Sequence, residues 1–214
     1  MATDPLRIVV LGGGGHGRVV ADIIRATGHT LIGFADADER MLGTYIASAE
    51  AEVLCSQRQL RAFLAADCAD AVVVAIGDND ARLCALRRMI GTLEVPSLIH
   101  PSAQVDPTAR IEEGTVVMPR AVIGAAVVVG RGVIVNTSAQ LDEGVSVGDG
   151  AHISPGAILM PGSRVRMCGW VGAGAIVEPN VVIGRHAIVG AGALVTRDVK
   201  EGATAVGLPA QQLG

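Results

Sequence analysis

The sequence predicts a two-part fold: a short doubly wound α/β domain over residues 1–96, then a parallel β-helix with a C-terminal tail over residues 97–214. Three observations carry that expectation. A strand, a glycine turn and a helix follow one another over residues 7–25. Residues 99–195 repeat every six positions without a break. The composition changes character near residue 95, in a chain of 214 residues that has room for two small domains.

In the first part, Arg7-Ile8-Val9-Val10-Leu11 has the pattern of a short buried strand, and Arg18 to Arg25 has helical periodicity. Between them stands Gly12-Gly13-Gly14-Gly15-His16-Gly17. Glycines in such a turn let backbone N–H groups approach a phosphate at the helix N-terminus, where unpaired amides and the dipole favour an anion. Gly12, Gly14 and Gly17 match G-x-G-x-x-G, and a second strand, Leu31 to Ala35, ends at Asp36, close to where an acidic residue meets a ribose hydroxyl. After Asp36 the sequence predicts a loop, a helix around Gln57 to Ala66, a strand from Ala71 to Ile76, a turn at Gly77-Asp78-Asn79 and a helix from Asp80 to about Ile90. Three or four parallel strands make half of a dinucleotide fold, a size suited to a mononucleotide or nucleotide-sugar rather than NAD. Glycines serving only a tight turn would give the same fingerprint. His16 fits either a helix cap or contact with a bound sugar. Pro96 and the segment Ser97 to Pro101 read as a hinge.

In the second part, the first residue of every hexad, from Ile99 and Val105 to Val195, is Ile, Leu or Val. The fifth is small or β-branched, and it lies two residues before the next first position, so both face the same side of a short strand. The second and third positions are rich in Gly, Asp, Glu and Pro, as at Glu112-Glu113, Gly124 and Gly148-Asp149, which predicts the corner at those positions. Alanine recurs every eighteen residues, at Ala103, Ala121, Ala139, Ala157, Ala175 and Ala193. Three hexads therefore make one triangular coil, the signature of a solenoid. A sandwich of ordinary strands would need variable spacing and hairpin turns.

Several function classes are disfavoured by composition. A net charge of -4 and only four aromatic residues (two Phe, one Trp, one Tyr) give no footprint for nucleic acid. No apolar run approaches the ~20 residues of a membrane span, and the N-terminus lacks a charged segment followed by a long apolar one, so the expectation is a cytoplasmic protein without membrane insertion. Cys55, Cys68, Cys84 and Cys168 have no zinc or redox spacing and read as reduced packing thiols; no His or carboxylate cluster suggests a metal.

The joint occurrence of GGGGHG, IGDNDAR at Ile76 to Arg82, LIHPSA at Leu98 to Ala103, the hexad array and GLPA at Gly207 to Ala210 resembles one family across the whole chain. It is similar to the bacterial hexapeptide-repeat sugar acyltransferases of the nucleotide 4-amino-sugar N-acetyltransferase and sialic acid O-acetyltransferase type. The resemblance implies a Rossmann-like first domain that holds a nucleotide-linked amino sugar through Gly12, Gly14, Gly15, His16, Asp36, Gly77, Asp78 and Asn79. It further implies a left-handed β-helix, a homotrimer, and acetyl-CoA in the cleft between neighbouring helices, close to His152. In the later coils Gly172, Ala173, Gly174, Gly190 and Ala191 permit close backbone approach to the pantetheine arm and Arg185 fits a phosphate, with Pro209 of the tail as a further contact, although corner geometry and solubility explain the glycines and the arginine equally simply. The implied activity is N-acetyl transfer for surface glycan biosynthesis, without a metal.

In that family the catalytic base is a His that follows an N-T-x-A stretch and stands between acidic residues. This chain has Asn136-Thr137-Ser138-Ala139-Gln140-Leu141-Asp142-Glu143-Gly144, so the register puts Glu143 where the His stands and Gly144 where its carboxylate partner stands. Glu143 is a candidate base if burial in a subunit cleft raises its pKa, and otherwise a corner carboxylate like Glu112 or Glu178. His152, flanked by inward Ala151 and Ile153, points outward one coil before Trp170 and reads as an acetyl contact, a substitute base, or a polar interface residue. Two further readings stay open: a trimeric nucleotide-sugar or CoA-binding protein whose catalysis is impaired or lost, and a sugar O-acetyltransferase, which demands a stronger base than an amine does.

Overall fold

A computed structural model describes residues 4–66 and 68–213, and the chain divides into two compact units, Met1–Leu98 and Ile99–Gly214. In the first unit, β1 (Arg7–Leu11), β2 (Thr30–Asp36), β3 (Tyr45–Ile46), β4 (Ala51–Ser56) and β5 (Ala71–Val74) form one sheet in the order β3-β4-β2-β1-β5. All neighbours pair parallel except the edge strand β3, which is antiparallel to β4. Ile8, Val9, Val10, Phe34, Val72 and Val73 are fully buried, the continuous apolar pattern of strands covered on both faces. The helices α1 (Gly15–Ala26), α2 (Leu60–Ala65) and α3 (Asn79–Arg87) follow β1, β4 and β5. Helix α1 buries one stripe, Val20, Ala21, Ile23 and Ile24, and leaves Arg18, Val19 and Asp22 outward.

Two expectations for this unit need correction. The segment between Asp36 and α2 is not a loop, because it contains β3 and β4, and β4 is the direct neighbour of β2. Its inward residues Ala51, Val53 and Cys55 alternate with Glu52 and partly exposed Leu54, too thin an apolar signal to separate from a loop. Helix α1 begins at Gly15, inside the glycine turn and three residues before the apolar periodicity starts.

In the second unit, each hexad contributes a two-residue strand paired in parallel with the strand eighteen residues on, as in Ile123 with Leu141, Val147 with Val165 and His152 with Trp170. The strands stack into three parallel sheets, giving the left-handed parallel β-helix. First and fifth positions from Val117 to Ala193 fill its interior, while Val105 and Ile111 in the first coils are only partly covered. Thr115 takes an inward fifth position and meets its polar needs inside: Oγ1 donates to the Gly130 carbonyl at 2.7 Å and accepts from the Val133 N–H at 3.1 Å. Thr204–Gly207 and Ala210–Gln212 close the chain as an antiparallel pair.

The turn lies one residue later than expected, on the third and fourth positions of the hexads. From Gly114 to Gly192 the residue with positive φ is the fourth of every hexad whatever its side chain, including Arg120 at 60°, Ala126 at 55°, Asn180 at 63° and His186 at 52°. From Gly132 to Gly192 the N–H of this residue donates to the carbonyl of the third residue of the coil before, as Gly144 does to Ala125 at 3.0 Å, while in the earlier coils the Arg120 and Ala126 N–H groups donate to the hydroxyls of Ser102 at 3.2 Å and Thr108 at 2.9 Å. The left-handed conformation, costly for a non-glycine residue, is thus held by a hydrogen bond to the coil before at each non-glycine corner from Arg120 to His186. Second-position glycines have a different cause: a Cβ on Gly148 would lie 2.6 Å from the Met167 nitrogen. They let successive coils touch. The cysteines also divide, Cys55 and Cys168 being buried and Cys68 and Cys84 exposed, so only the first two are packing thiols.

Candidate nucleotide and acyl-transfer sites

The carboxyl ends of β1 and β5 carry the glycine turn and the Gly77 turn. Gly12 and Gly17 are required by the fold itself. Gly12 has φ of 113° with its Cβ direction 2.7 Å from the Ala75 carbonyl oxygen, and a Cβ on Gly17 would fall 1.9 Å from the Gly12 oxygen. Gly14, Gly15 and Gly77 are different: no positive φ is needed and nothing lies within 4 Å of where a Cβ would stand. Nothing in the fold asks for glycine there, whereas a ligand approaching the backbone would.

The surrounding side chains brace these turns. Asp36 accepts from the Gly13 N–H through Oδ2 and from the Asp38 N–H through Oδ1, each at 2.9 Å, so the residue expected at a ribose also holds the glycine turn. Asp78 caps α3 by accepting from the Ala81 N–H at 2.8 Å, and Asn79 Oδ1 accepts from Arg82 Nη2 at 2.8 Å. Arg82 is 1% exposed and its Nη1 donates to the carbonyls of Ile76 and Gly77 at 2.9 and 3.0 Å. His16, in the first turn of α1, is held neutral: burial and then the Arg82 charge bring its pKa from 6.5 down to about 4. Its Nε2 is buried without a hydrogen-bond partner. Helix α1 has no side-chain cap and no acidic residue in its first turn.

On the solenoid, His152 stacks on Trp170 with ring centroids 5.9 Å apart and planes 3° from parallel. Trp170 Nε1 donates to Ser154 Oγ at 2.8 Å. Asn136 Oδ1 accepts from the Thr137 N–H at 2.8 Å, which fixes its amide so that Nδ2 donates to His152 Nε2 at 3.1 Å. The imidazole proton therefore sits on Nδ1. Glu143 occupies an exposed corner, its carboxylate without a hydrogen-bond or ion-pair partner among the described residues.

The register decides which of these residues one chain brings together. Gly172, Ala173 and Gly174 stack under Gly190 and Ala191 at the corner that follows the strands of His152 and Trp170. A Cβ on Gly172 would meet the Ala191 nitrogen at 2.6 Å, and one on Gly190 would meet the Val206 side chain at 2.8 Å, so coil stacking accounts for both glycines. Arg185 stands at the preceding corner, 4.0 Å from Glu201, and Pro209 lies exposed in the tail. Glu143 belongs to the third corner, between the strands Gln140–Leu141 and Ser146–Val147. In a triangular coil that corner is opposite the His152 face, so a single chain does not bring Glu143 and His152 together.

The family model of the PglD N-terminal domain matches residues 7–89. Among curated protein sequences, none matches the chain. Among solved structures, a histidine-to-asparagine mutant of perosamine N-acetyltransferase from Caulobacter crescentus, in complex with CoA and GDP-perosamine, is 34% identical over 97% of this chain and 97% of its own, with a TM-score of 0.91. The acetyltransferase domain of PglB from Neisseria gonorrhoeae, in complex with acetyl coenzyme A, is 34% identical over 98% of this chain and 100% of its own, with a TM-score of 0.89. The chain belongs to the hexapeptide-repeat sugar acyltransferase family. WeeI from Acinetobacter baumannii, at 24% identity and a TM-score of 0.74 over 97% of this chain and 99% of its own, shares the fold.

In this family member the sequence pattern does not single out Arg82, Asn136 or Ser154. Arg82 lies inside the quoted IGDNDAR motif, and its burial is the one signal that marks it as the residue shaping the Gly77 turn. Asn136 and Ser154 bond to residues sixteen positions away, next to the eighteen-residue register, and a pattern read only for inward positions does not report them.

Proposed function

We propose that this family member is a cytoplasmic homotrimeric enzyme that transfers the acetyl group of acetyl-CoA to the amine of a nucleotide-linked amino sugar, in surface glycan biosynthesis. The observation that carries the reading is the full-length likeness to perosamine N-acetyltransferase, a protein named for that reaction. The first unit binds the nucleotide-sugar; Gly14, Gly15 and Gly77, glycines without a reason in the fold, support that assignment. The second unit supplies the transfer chemistry.

In the transfer, the lone pair of the neutral amine forms the N–C bond at the thioester carbonyl carbon, the C–S bond breaks, and the sulfur leaves as the thiolate of CoA. The proton lost by the nitrogen passes to a base and then to the thiolate. Glu143 is that base. Its carboxylate is uncommitted, whereas the Nε2 lone pair of His152 already accepts from Asn136. A sugar amine is nucleophilic once neutral and asks less of its base than a hydroxyl does. His152 instead orients the acetyl end of the thioester. The opposition of Glu143 to the His152 face supports a site completed by a second copy, and hence the trimer.

The test is thiol release from acetyl-CoA over a panel of UDP-, GDP- and dTDP-amino sugars. Turnover with at least one acceptor is expected, with kcat falling about 10²–10⁴-fold in Glu143→Ala. A second reading, a binding protein whose catalysis is lost, rests on the same Glu143 in place of the family His. It gains if wild type is inert and Glu143→His restores turnover. Full activity of Glu143→Ala removes Glu143 from the mechanism.

A further inference from the structure

A cavity of about 480 Å³ lies at the carboxyl ends of β2 and β4, bordered by Ala37 just past one strand and Ser56 at the end of the other. In doubly wound sheets ligands lie outside the carboxyl ends of the strands. The sheet order sets β2 beside β1 and β4 one place further, so the cavity stands roughly 5–10 Å, one to two strand spacings, from the glycine turn that follows β1. Asp36, which holds the Gly13 N–H, immediately precedes Ala37. A diphosphate seated on the glycine turn extends its nucleoside toward this cavity.

The lining favours one base. Leu60 and Met89, both buried, give an apolar floor for a flat ring. At the rim, Arg58 Nη1 stands 3.9 Å from Glu39 Oε1, side by side but too far apart to share a hydrogen bond. The pair therefore offers guanidinium donors next to a carboxylate acceptor. We infer that the cavity binds guanine, with Arg58 donating to O6 and Glu39 accepting from N1–H and the N2 amine, so that the acceptor is a GDP-linked amino sugar. Uracil and thymine match the first two contacts through O4 and N3–H but set the O2 lone pairs against the second carboxylate oxygen. Adenine reverses the pattern, turning its N6 amine toward Arg58 and its N1 lone pair toward Glu39. The inference rests on the proposed nucleotide-sugar role of the first unit.

The experiment is calorimetric titration of the full-length protein with GDP, IDP, UDP, dTDP and ADP. GDP is expected to bind roughly tenfold or more tightly than UDP or dTDP, with ADP weakest and IDP, which lacks the N2 amine, between GDP and ADP. Glu39→Gln should bring GDP down to the level of IDP, with acetyl-CoA binding as the control for folding. UDP or dTDP binding as tightly as GDP overturns the inference, as does a GDP-to-IDP ratio unchanged in Glu39→Gln. If no nucleoside diphosphate binds, the nucleotide-sugar reading itself falls and the base assignment with it.

Discussion

Replacing glycines by alanine separates the residues the fold needs from those a ligand needs. At Gly17 the new methyl would have to occupy a position 1.9 Å from the Gly12 oxygen, which forces α1 away from β1; overpacking of that kind costs about 3 kcal/mol. At Gly14 and Gly15 the methyl enters open space. Gly15 is also the first residue of α1, where alanine is the better helix former, so Gly15→Ala should leave stability unchanged or raise it by ~0.5–1 kcal/mol. Binding responds in the opposite sense. A methyl between the turn amides and a phosphate removes at least one hydrogen bond to a charged group, about 1.5–3 kcal/mol, or roughly tenfold or more in affinity. Guanidinium unfolding together with titration of a nucleoside diphosphate measures both effects on each variant. The reasoning is refuted if Gly14→Ala and Gly15→Ala bind as tightly as wild type, or if they lose as much stability as Gly17→Ala.

Three further substitutions test the energetics. Because the His16 pKa of about 4 lies below its ordinary 6.5, the unfolded chain takes up a proton between those values that the folded chain does not, and stability falls as pH drops through that window. The gap corresponds to ~3 kcal/mol at ~1.4 kcal/mol per pH unit; urea unfolding from pH 4 to 7 should show it in wild type and a flatter slope in His16→Asn, and equal slopes would contradict it. Ser163 is fully buried with its hydroxyl unpartnered, so Ser163→Ala should raise the unfolding free energy by about 1 kcal/mol, and a lower midpoint would count against that. Thr115→Val keeps the shape of the side chain but strands the Gly130 carbonyl and the Val133 N–H; a loss of about 2 kcal/mol is expected in the same assay, and no loss would mean those groups find other partners.

The solenoid was legible because its two inward positions lie two residues apart on every strand, which leaves Ile, Leu, Val and small residues no other arrangement that repeats for seventeen hexads. Its left-handed fourth position is glycine at Gly114, Gly132, Gly144, Gly150, Gly156, Gly162, Gly174 and Gly192, but that signal is blurred because Arg120, Ala126 and His186 are tolerated there once a hydroxyl or carbonyl of the coil before holds the N–H. The glycines at second positions mark coil stacking instead, and at Gly172 and Gly190 they do not single out a CoA contact. Strand β4 was missed because six residues with small Ala51 and Cys55 make a faint alternation. At the sites, Glu143 was found by register alone. The neutral state of His16 depends on burial and on Arg82, and the occupied Nε2 of His152 depends on Asn136. Such contacts exist only after folding.

The most direct test of the central claim identifies the bond that is formed. The protein is incubated with acetyl-CoA and the accepted nucleotide-amino sugar, and the product is followed by mass spectrometry before and after mild alkali. Transfer to nitrogen predicts one acetyl group per thiol released, carried by an amide that survives alkali. Loss of the acetyl group in alkali would reveal an ester and an O-acetyltransferase, and the absence of any acetylated sugar would contradict acetyl transfer itself.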